Sequence, residues 1–453
     1  MENLKAMILA AGEGTRMKSK KPKVLHEIGN KPMLEYVISS AKKVGAEEVC
    51  VVVGYESEKV KEAICDETVS FAFQPKQLGT GHAVMQAVDF IDENKDIIIL
   101  YGDTPLVTAQ TLEKLVQFHR AEKNGVSIIS AIIEDPTGYG HIIRAADGSF
   151  IKNIEHKDAS ETEKKIKEFN TGIYCFQGKK LKEALQKLTN HNAQGEYYLP
   201  DTLEIIAKSG SKVNAMVAED VSEFSGINSR EQLAQVQAIM KNRINRKHME
   251  NGVTMIDPMQ TYIDEDVEIG CDTIIYPGCV LEGKTKIGED CVIGPNAKMT
   301  NMIIHDGVKF QSSTGMDSEV GAKTTVGPYA YIRPNSKIGE NVKVGDFVEI
   351  KNSVIGNNTK ISHLTYVGDS DVGERINFGC GTVTVNYDGK KKYRTVIEDD
   401  VFIGCNANLV APVTIKKNSY IGAGSTITKE VPSEALGIAR ARQENIKDWV
   451  KKH

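Results

Sequence analysis

No stretch of this chain approaches the roughly 18 apolar residues that a membrane-crossing helix needs. The longest early apolar run, residues 6–11, is also too short for the core of a secretory leader. The expectation is a cytoplasmic protein with no membrane partner. Charge of either sign is not in excess either: 56 Lys and Arg stand against 61 Asp and Glu, net −5, which leaves no bulk field to hold a nucleic acid. Small anions can still meet local basic clusters. The eight cysteines include no C-x-x-C, and their spacings match neither a zinc site nor a compact disulfide framework, so reduced thiols are expected. What remains is a globular balance, 40% hydrophobic and 26% charged over 453 residues, enough for two or three domains with cores of their own.

The chain changes character near residue 229. Before it, apolar runs at 6–11, 49–53, 97–100 and 126–133 alternate with longer amphipathic stretches, the pattern of an α/β domain with a largely parallel sheet. Ser229-Arg230-Glu231-Gln232 then has the form of a capping box, and Leu233, Val236, Met240 and Ile244 share one stripe, predicting a linking helix over 229–250. Beyond it, residues 254–432 hold 39 Val or Ile but three Leu, a β-branched bias that favours strands. Aliphatic residues recur every six positions, as at Ile263, Ile269, Ile275, Leu281, Ile287 and Ile293, and again at Ile397, Ile403, Leu409, Ile415, Ile421 and Ile427. That period suits a β-helix whose three short sides each turn one aliphatic residue inward. The period slips at 300–318 and 372–396, where loops are expected to project, and 434–452 reads as a polar helix or tail. The expected domains are 1–228, a linking helix 229–250, and 251–453.

Two segments carry chemistry. After the first strand comes Leu9-Ala10-Ala11-Gly12-Glu13-Gly14-Thr15-Arg16-Met17, then Lys20-Lys21-Pro22-Lys23. A glycine-rich turn lets backbone N–H groups approach phosphate, and Arg16 and Lys23 add positive charge. An ordinary strand-to-helix turn would carry the same glycines, and the stretch is neither a dinucleotide-binding fingerprint nor a P-loop. Later, Arg333, Lys351, His363, Tyr366, Asn377 and Asn386-Tyr387 gather around the break in the repeat, where a purely structural coil has no use for them.

The first segment resembles the signature of sugar-phosphate nucleotidyltransferases. That resemblance assigns Leu9, Ala10, Ala11, Gly12, Lys23, Gln74, Gly79, Thr80, Tyr101, Gly102 and Asp103 to a uridine nucleotide, and Gly140, Glu155, Asn170 and Asn228 to its sugar side. Asp103 and Asn228 become ligands of Mg²⁺, with Mn²⁺ as an alternative, and Arg16 and Lys23 catalytic cations. The hexapeptide repeat resembles the left-handed parallel β-helix, from which its handedness is taken. The two together resemble the family of bifunctional bacterial N-acetylglucosamine-1-phosphate uridylyltransferase/glucosamine-1-phosphate acetyltransferases, over essentially the whole chain. On that resemblance Arg333 and Lys351 grip a sugar phosphate, Tyr366 and Asn377 orient the sugar, and His363 is the general base, with Glu349 a candidate to orient its imidazole. Acetyl-CoA falls to Cys380, Asn386, Tyr387, Cys405, Ala423 and Arg440, with Arg442 an extra phosphate contact. Cys380 and Cys405 depart from the alanine and serine of the usual motif. The implied substrates are UTP, N-acetylglucosamine-1-phosphate, glucosamine-1-phosphate and acetyl-CoA, the product feeds cell-wall precursor synthesis, and the implied assembly is a homotrimer. The rival readings are a single-activity nucleotidyltransferase with a structural β-helix and a catalytically silent nucleotide-sugar sensor.

Overall fold

The computed structural model describes residues 2–452; Met1 and His453, the ends of the expected domains, lie outside the described residues. The chain divides into two compact units, Met1–Met240 and Lys241–His453.

In the first unit the strand Leu4–Ala10 is buried along its whole length, as an unbroken apolar run at the centre of a two-sided sheet should be. Glu48–Val53 and then Val69–Phe73 lie on one side of it; on the other come Asp96–Tyr101, Glu168–Gln177, Val126–Ile132 and Val213–Val217. These seven strands are parallel except for Glu168–Gln177, which runs antiparallel to both its neighbours there, and two further strands of the sheet, His141–Arg144 and Phe150–Ile154, pair antiparallel beside it. These three strands refine the expectation of a largely parallel sheet. The chain reverses its direction of travel at Leu4–Ala10, so a crevice opens beyond the carboxyl ends of Leu4–Ala10 and Asp96–Tyr101, where open α/β sheets bind ligands.

An α-helix spans Arg230–Glu250. Its first turn is capped as the S-x-x-Q pattern suggests: the Gln232 N–H donates to Ser229 Oγ at 3.2 Å. The Gln232 side chain reaches one residue further back than the usual box and accepts from the Asn228 N–H at 2.7 Å, fixing Asn228 to the helix start. The two compact units divide this helix at Met240: Leu233 and Val236 are buried in the core of the first, while Ile244 packs on that of the second.

The second unit is a parallel β-helix of three faces. The first face runs from Thr254–Met255 to Leu436–Gly437 in 11 strands, the second from Tyr262–Ile263 to Thr426–Ile427 in 10, and the third from Glu268–Ile269 to Val413–Ile415 in 9. Inward aliphatic side chains stack into one continuous core, each burial contributing about 1.5–3 kcal/mol against the entropy of ordering so short a strand. The slip at 300–318 is not a projecting loop, contrary to expectation. There the coils simply shorten: Ile287 pairs with Ile304 and Met299 with Gly315, spacings of 17 and 16 instead of 18. Asn301 and Asp317 take the tight corners in the left-handed conformation, which their short polar side chains tolerate, and Asn301 Nδ2 donates to Asp317 Oδ1 at 3.0 Å. The slip at 372–396 does project. Val372 pairs with Ile397, 25 residues on, and the surplus forms a small hairpin closed by the Tyr387–Lys392 bridge. The segment 434–452, expected as a polar helix or tail, is mostly without regular structure: Leu436–Gly437 completes the first face, and only Trp449–Lys452 is helical.

Candidate active sites

In the first unit a cavity of about 310 Å³ occupies the crevice. Leu9, Ala10, Ala11, Gly12, Lys23, Gln74, Gly79, Thr80, Tyr101 and Asp103 line it, as the motif reading assigned. Gln77 and Ala83, the two ends of the 77–83 segment whose resemblance assigns it to the base, line it too, as do Val24 and Glu196, which nothing local in the sequence marks. The cation reaches its place through a tight turn. Gly14 has φ 66°, and a Cβ there would lie 2.6 Å from Lys23 Cβ, so glycine lets the turn close over the lysine. The Lys23 ammonium donates to Asp103 Oδ2 at 2.5 Å and to Asn228 Oδ1 at 3.0 Å. With the side chains of Lys23 and Asp103 only 13% and 18% exposed, this pair is largely withdrawn from water. Two oxygens from distant segments thus converge on a single positive charge, which is what a cation site requires. Among the described residues no group of three or more His, Cys, Asp and Glu side chains gathers for a metal. A divalent ion at Asp103 and Asn228 would therefore complete its oxygen shell from phosphate and water, as Mg²⁺ commonly does. Arg16 is exposed and stands outside the cavity lining. Its loop is held from behind, where Arg230 donates to Met17 O at 3.4 Å.

Gln74 is buried and donates to Gly79 O at 3.2 Å, which ties the two expected base-reading segments together. Near Tyr101 lie Glu155, expected on the sugar side, and Gly172, which follows Asn170 by two residues in the strand Glu168–Gln177. A Cβ on Gly172 would lie 2.4 Å from the Tyr101 ring, the Asn170 N–H donates to Gly140 O at 2.8 Å, and Gly140 abuts Glu155. Burial, then the negative charges of Glu155 and Asp103, push the Tyr101 phenol up, so it stays a neutral donor. Burial also raises Glu155, helped by Asp201 and Asp158.

The acetyl-site residues distribute over two faces of the second unit and the edge between them. On the second face Tyr331, Glu349 and Tyr366 pair in register, and Lys351 lies beside Gly368 on the next strand. Arg333 Nη1 donates to Glu349 Oε1 at 2.7 Å, and Asn386, at the base of the hairpin, donates to Tyr366 Oη at 3.4 Å. Lys392, which the repeat period could not flag because it sits in the insertion, brings its ammonium against that of Lys351. Facing this second cation, then partial burial, lowers the Lys351 amine. Two ammonium groups turned towards each other, with Arg333 close by, concentrate positive charge that Asp369 offsets only in part, which favours an anion there. Asn377 lies on the first face instead, paired with Lys360 and Phe402.

The edge between first and second faces carries the remaining residues in one column. Val344, Ile361, Phe378, Ile403 and Ile421 stack inward in register, so Asp346, His363, Cys380, Cys405 and Ala423, each two positions on, stack at the edge. The expected base and three expected acetyl-CoA residues are thereby neighbours, and Arg440 packs over Gly424 at the far end. Both cysteines are free thiols. Glu349 does not orient His363: it is engaged by Arg333, while His363 Nδ1 lies 2.6 Å from Asp346 Oδ1. Tyr387 sits in the hairpin, its hydroxyl donating to Gly389 O at 2.7 Å.

A crevice at the strand ends of one unit, followed by a β-helix that gathers a histidine–aspartate pair and a cluster of cations, is the arrangement of a two-site transferase. Family models agree: "Nucleotidyl transferase" matches residues 5–224, "Bacterial transferase hexapeptide (six repeats)" matches 266–301 and 394–429, and "GMPPB C-terminal domain" matches 316–401. The relatives extend over the full chain. A bifunctional protein GlmU of Acetivibrio thermocellus is 56% identical over 99% of this chain and 98% of its own length. Those of Caldanaerobacter subterraneus subsp. tengcongensis and Clostridioides difficile are 55% and 51% identical, each over 99% of this chain and 98% of their own. The chain belongs to the GlmU family of bifunctional proteins, and its second unit is a left-handed β-helix of hexapeptide repeats.

Proposed function

We propose that each unit houses one of the family's two reactions, with the residues assigned as follows. The chain is a bifunctional transferase of UDP-N-acetylglucosamine synthesis, with acetyltransferase and uridylyltransferase activities. In the first unit the phosphate of N-acetylglucosamine-1-phosphate attacks the α-phosphorus of UTP and pyrophosphate leaves. A phosphate monoester has its second pKa at about 6, so this nucleophile arrives ionised and needs no protein base. The task of the site is positioning and charge neutralisation. Backbone N–H groups of the 10–14 turn and the side chains of Lys23 and Arg16 meet the phosphates. Gln74 and the 79–80 turn hold the base; Gly140, Glu155 and Asn170 hold the sugar. Asp103 and Asn228 would hold Mg²⁺, or Mn²⁺ in its place, and the ion when bound supplies further neutralisation of the phosphate oxygens. The observation that carries this reading is the convergence of Asp103 and Asn228 on one cation beside the cavity.

In the second unit Arg333 and Lys351 take the phosphate of glucosamine-1-phosphate, Tyr366 and Asn377 orient the ring, and His363 accepts the amine proton. Acetyl-CoA lies along the edge of Cys380, Cys405 and Ala423, with Asn386, Tyr387 and Arg440 around it. We assign a homotrimer. Two observations support it: Asn377 is on a different face from Arg333, Lys351 and Tyr366, so a neighbour must close the site, and the edge exposes Tyr329, Phe347 and Leu364 in left-handed backbone. Bulky apolar residues in that conformation are costly unless a partner covers them. No helix among the described residues is long and apolar enough to cross a membrane. We assign the cytoplasm, where both donors are made.

Full-length protein with UTP, Mg²⁺ and N-acetylglucosamine-1-phosphate is expected to release pyrophosphate, and with acetyl-CoA and glucosamine-1-phosphate to release free thiol. His363→Ala should abolish the second reaction alone. Wild-type protein that makes UDP-N-acetylglucosamine but releases no thiol would make the second unit a scaffold.

A further inference from the structure

The edge column does not end at the base. Below His363 the next residue is Asp346, held there because the strands Lys343–Asp346 and Lys360–His363 pair in parallel with Asp346 opposite His363. Its Oδ1 lies 2.6 Å from His363 Nδ1. A carboxylate only accepts, so Nδ1 carries the proton of this hydrogen bond and the lone pair of the neutral ring is confined to Nε2. The imidazole side chain is 55% exposed, and among the described residues no group bonds Nε2. The pairing with His363 lowers the Asp346 carboxyl, which therefore stays an anion. Among the described residues no other carboxylate bonds the ring, and Glu349 is held by Arg333.

We propose that Asp346 is the positioning residue of the acetyl-transfer reaction, fixing the His363 tautomer and orientation so that Nε2 faces the incoming amine. This inference rests on the reading of His363 as the base. In the step, the amine nitrogen forms a bond to the thioester carbonyl carbon and gives a proton to Nε2. The C–S bond breaks, the sulfur leaves with its electron pair, and the imidazolium returns the proton to it, so that free coenzyme thiol departs. Asp346 remains ionised throughout and stabilises the transient imidazolium.

The test is a set of substitutions in the full-length protein, followed by thiol release. Asp346→Asn keeps the shape but offers an N–H towards Nδ1, which favours the tautomer whose Nε2 is blocked. It should lower kcat on the order of 100-fold while both KM values stay within about twofold, because on this proposal Asp346 acts only through His363. Asp346→Glu, which restores a carboxylate, should recover most of that loss. Thermal unfolding and sedimentation of each variant, matched to wild type, exclude a folding defect. A normal kcat in Asp346→Asn with His363→Ala inactive would overturn this inference and leave the base in place. An active His363→Ala would instead overturn the base. A loss in Asp346→Asn that Asp346→Glu does not recover, or one that falls on KM, would reduce Asp346 to a packing residue.

Discussion

The two sites solve opposite geometric problems. In the first unit, residues as far apart as Lys23, Asp103 and Asn228 meet beside one cavity of one chain, because a glycine turn, a strand end and a helix start converge at the same rim. In the second, a stacked coil delivers each residue to a face, and a face looks outward; Asn377 and Tyr366 belong to different faces whatever the rotamers. A crevice at the strand ends can enclose a ligand alone, whereas on the proposed reading the prism is completed by a second copy of the chain.

That contrast can be broken most severely from the first side. Asp103→Ala should cut pyrophosphate release about 1000-fold with thiol release unchanged, since the loss is confined to a self-contained site. A parallel loss of acetyl transfer would show the sites to be coupled. The next effect is on assembly. Charging the seam with Tyr329→Glu and Phe347→Glu, whose rings stack at 5.6 Å, should convert trimer to monomer in sedimentation and lower thiol release on the order of 10- to 100-fold, sparing pyrophosphate release. A trimer that persists would move the seam elsewhere.

Smaller effects sharpen the picture. Lys392→Ala should raise the KM for glucosamine-1-phosphate by about 10-fold with little change in kcat. It also removes the cation that lowers Lys351. Lys351 then keeps its proton to higher pH, so phosphate affinity at alkaline pH should decline later in the variant than in wild type. The least effect is on stability. Burial, then Glu204 and Asp158, raise Asp201 from 3.8 to about 6. A folded acid that binds its proton more tightly than the unfolded chain loses stability as pH rises from about 4 to about 6, and the penalty persists above. Asp201 remains exposed and solvent screens much of this penalty, so Asp201→Asn should gain no more than about 1 kcal/mol in denaturant unfolding at pH 8 and nothing at pH 4.

Much of this was legible in the residues themselves. The six-residue period announces a β-helix because side-chain alternation on short strands leaves one inward position per side. The Ser229 to Gln232 spacing announces a helix start, because the capping hydrogen bond is local. Asp346 was not legible, and the reason is register. Alternation along a strand singles out Glu349 beside Lys351, but the partner of His363 depends on coil length. A regular 18-residue coil would put Gly345 beside His363; the 17-residue coil puts Asp346 there. Lys392 was hidden for the related reason that an insertion obeys no period. The antiparallel strand Glu168–Gln177 was hidden because apolar content carries no direction.

The three corners of the prism are not equivalent. Between third and first faces the spacing of inward residues holds at six on every coil, as from Ile304 to Phe310 and from Ile397 to Ile403. Between second and third it drops to five at Ile350 to Ile355 and stretches to 13 at Thr384 to Ile397, yet the stack above and below stays in register. One corner is thus a splice point and another a fixed hinge. Foreign peptide grafted next to Asn335, at the splice corner, should be carried as a passenger, whereas a single residue added between Ile338 and Val344 should throw every later coil out of phase.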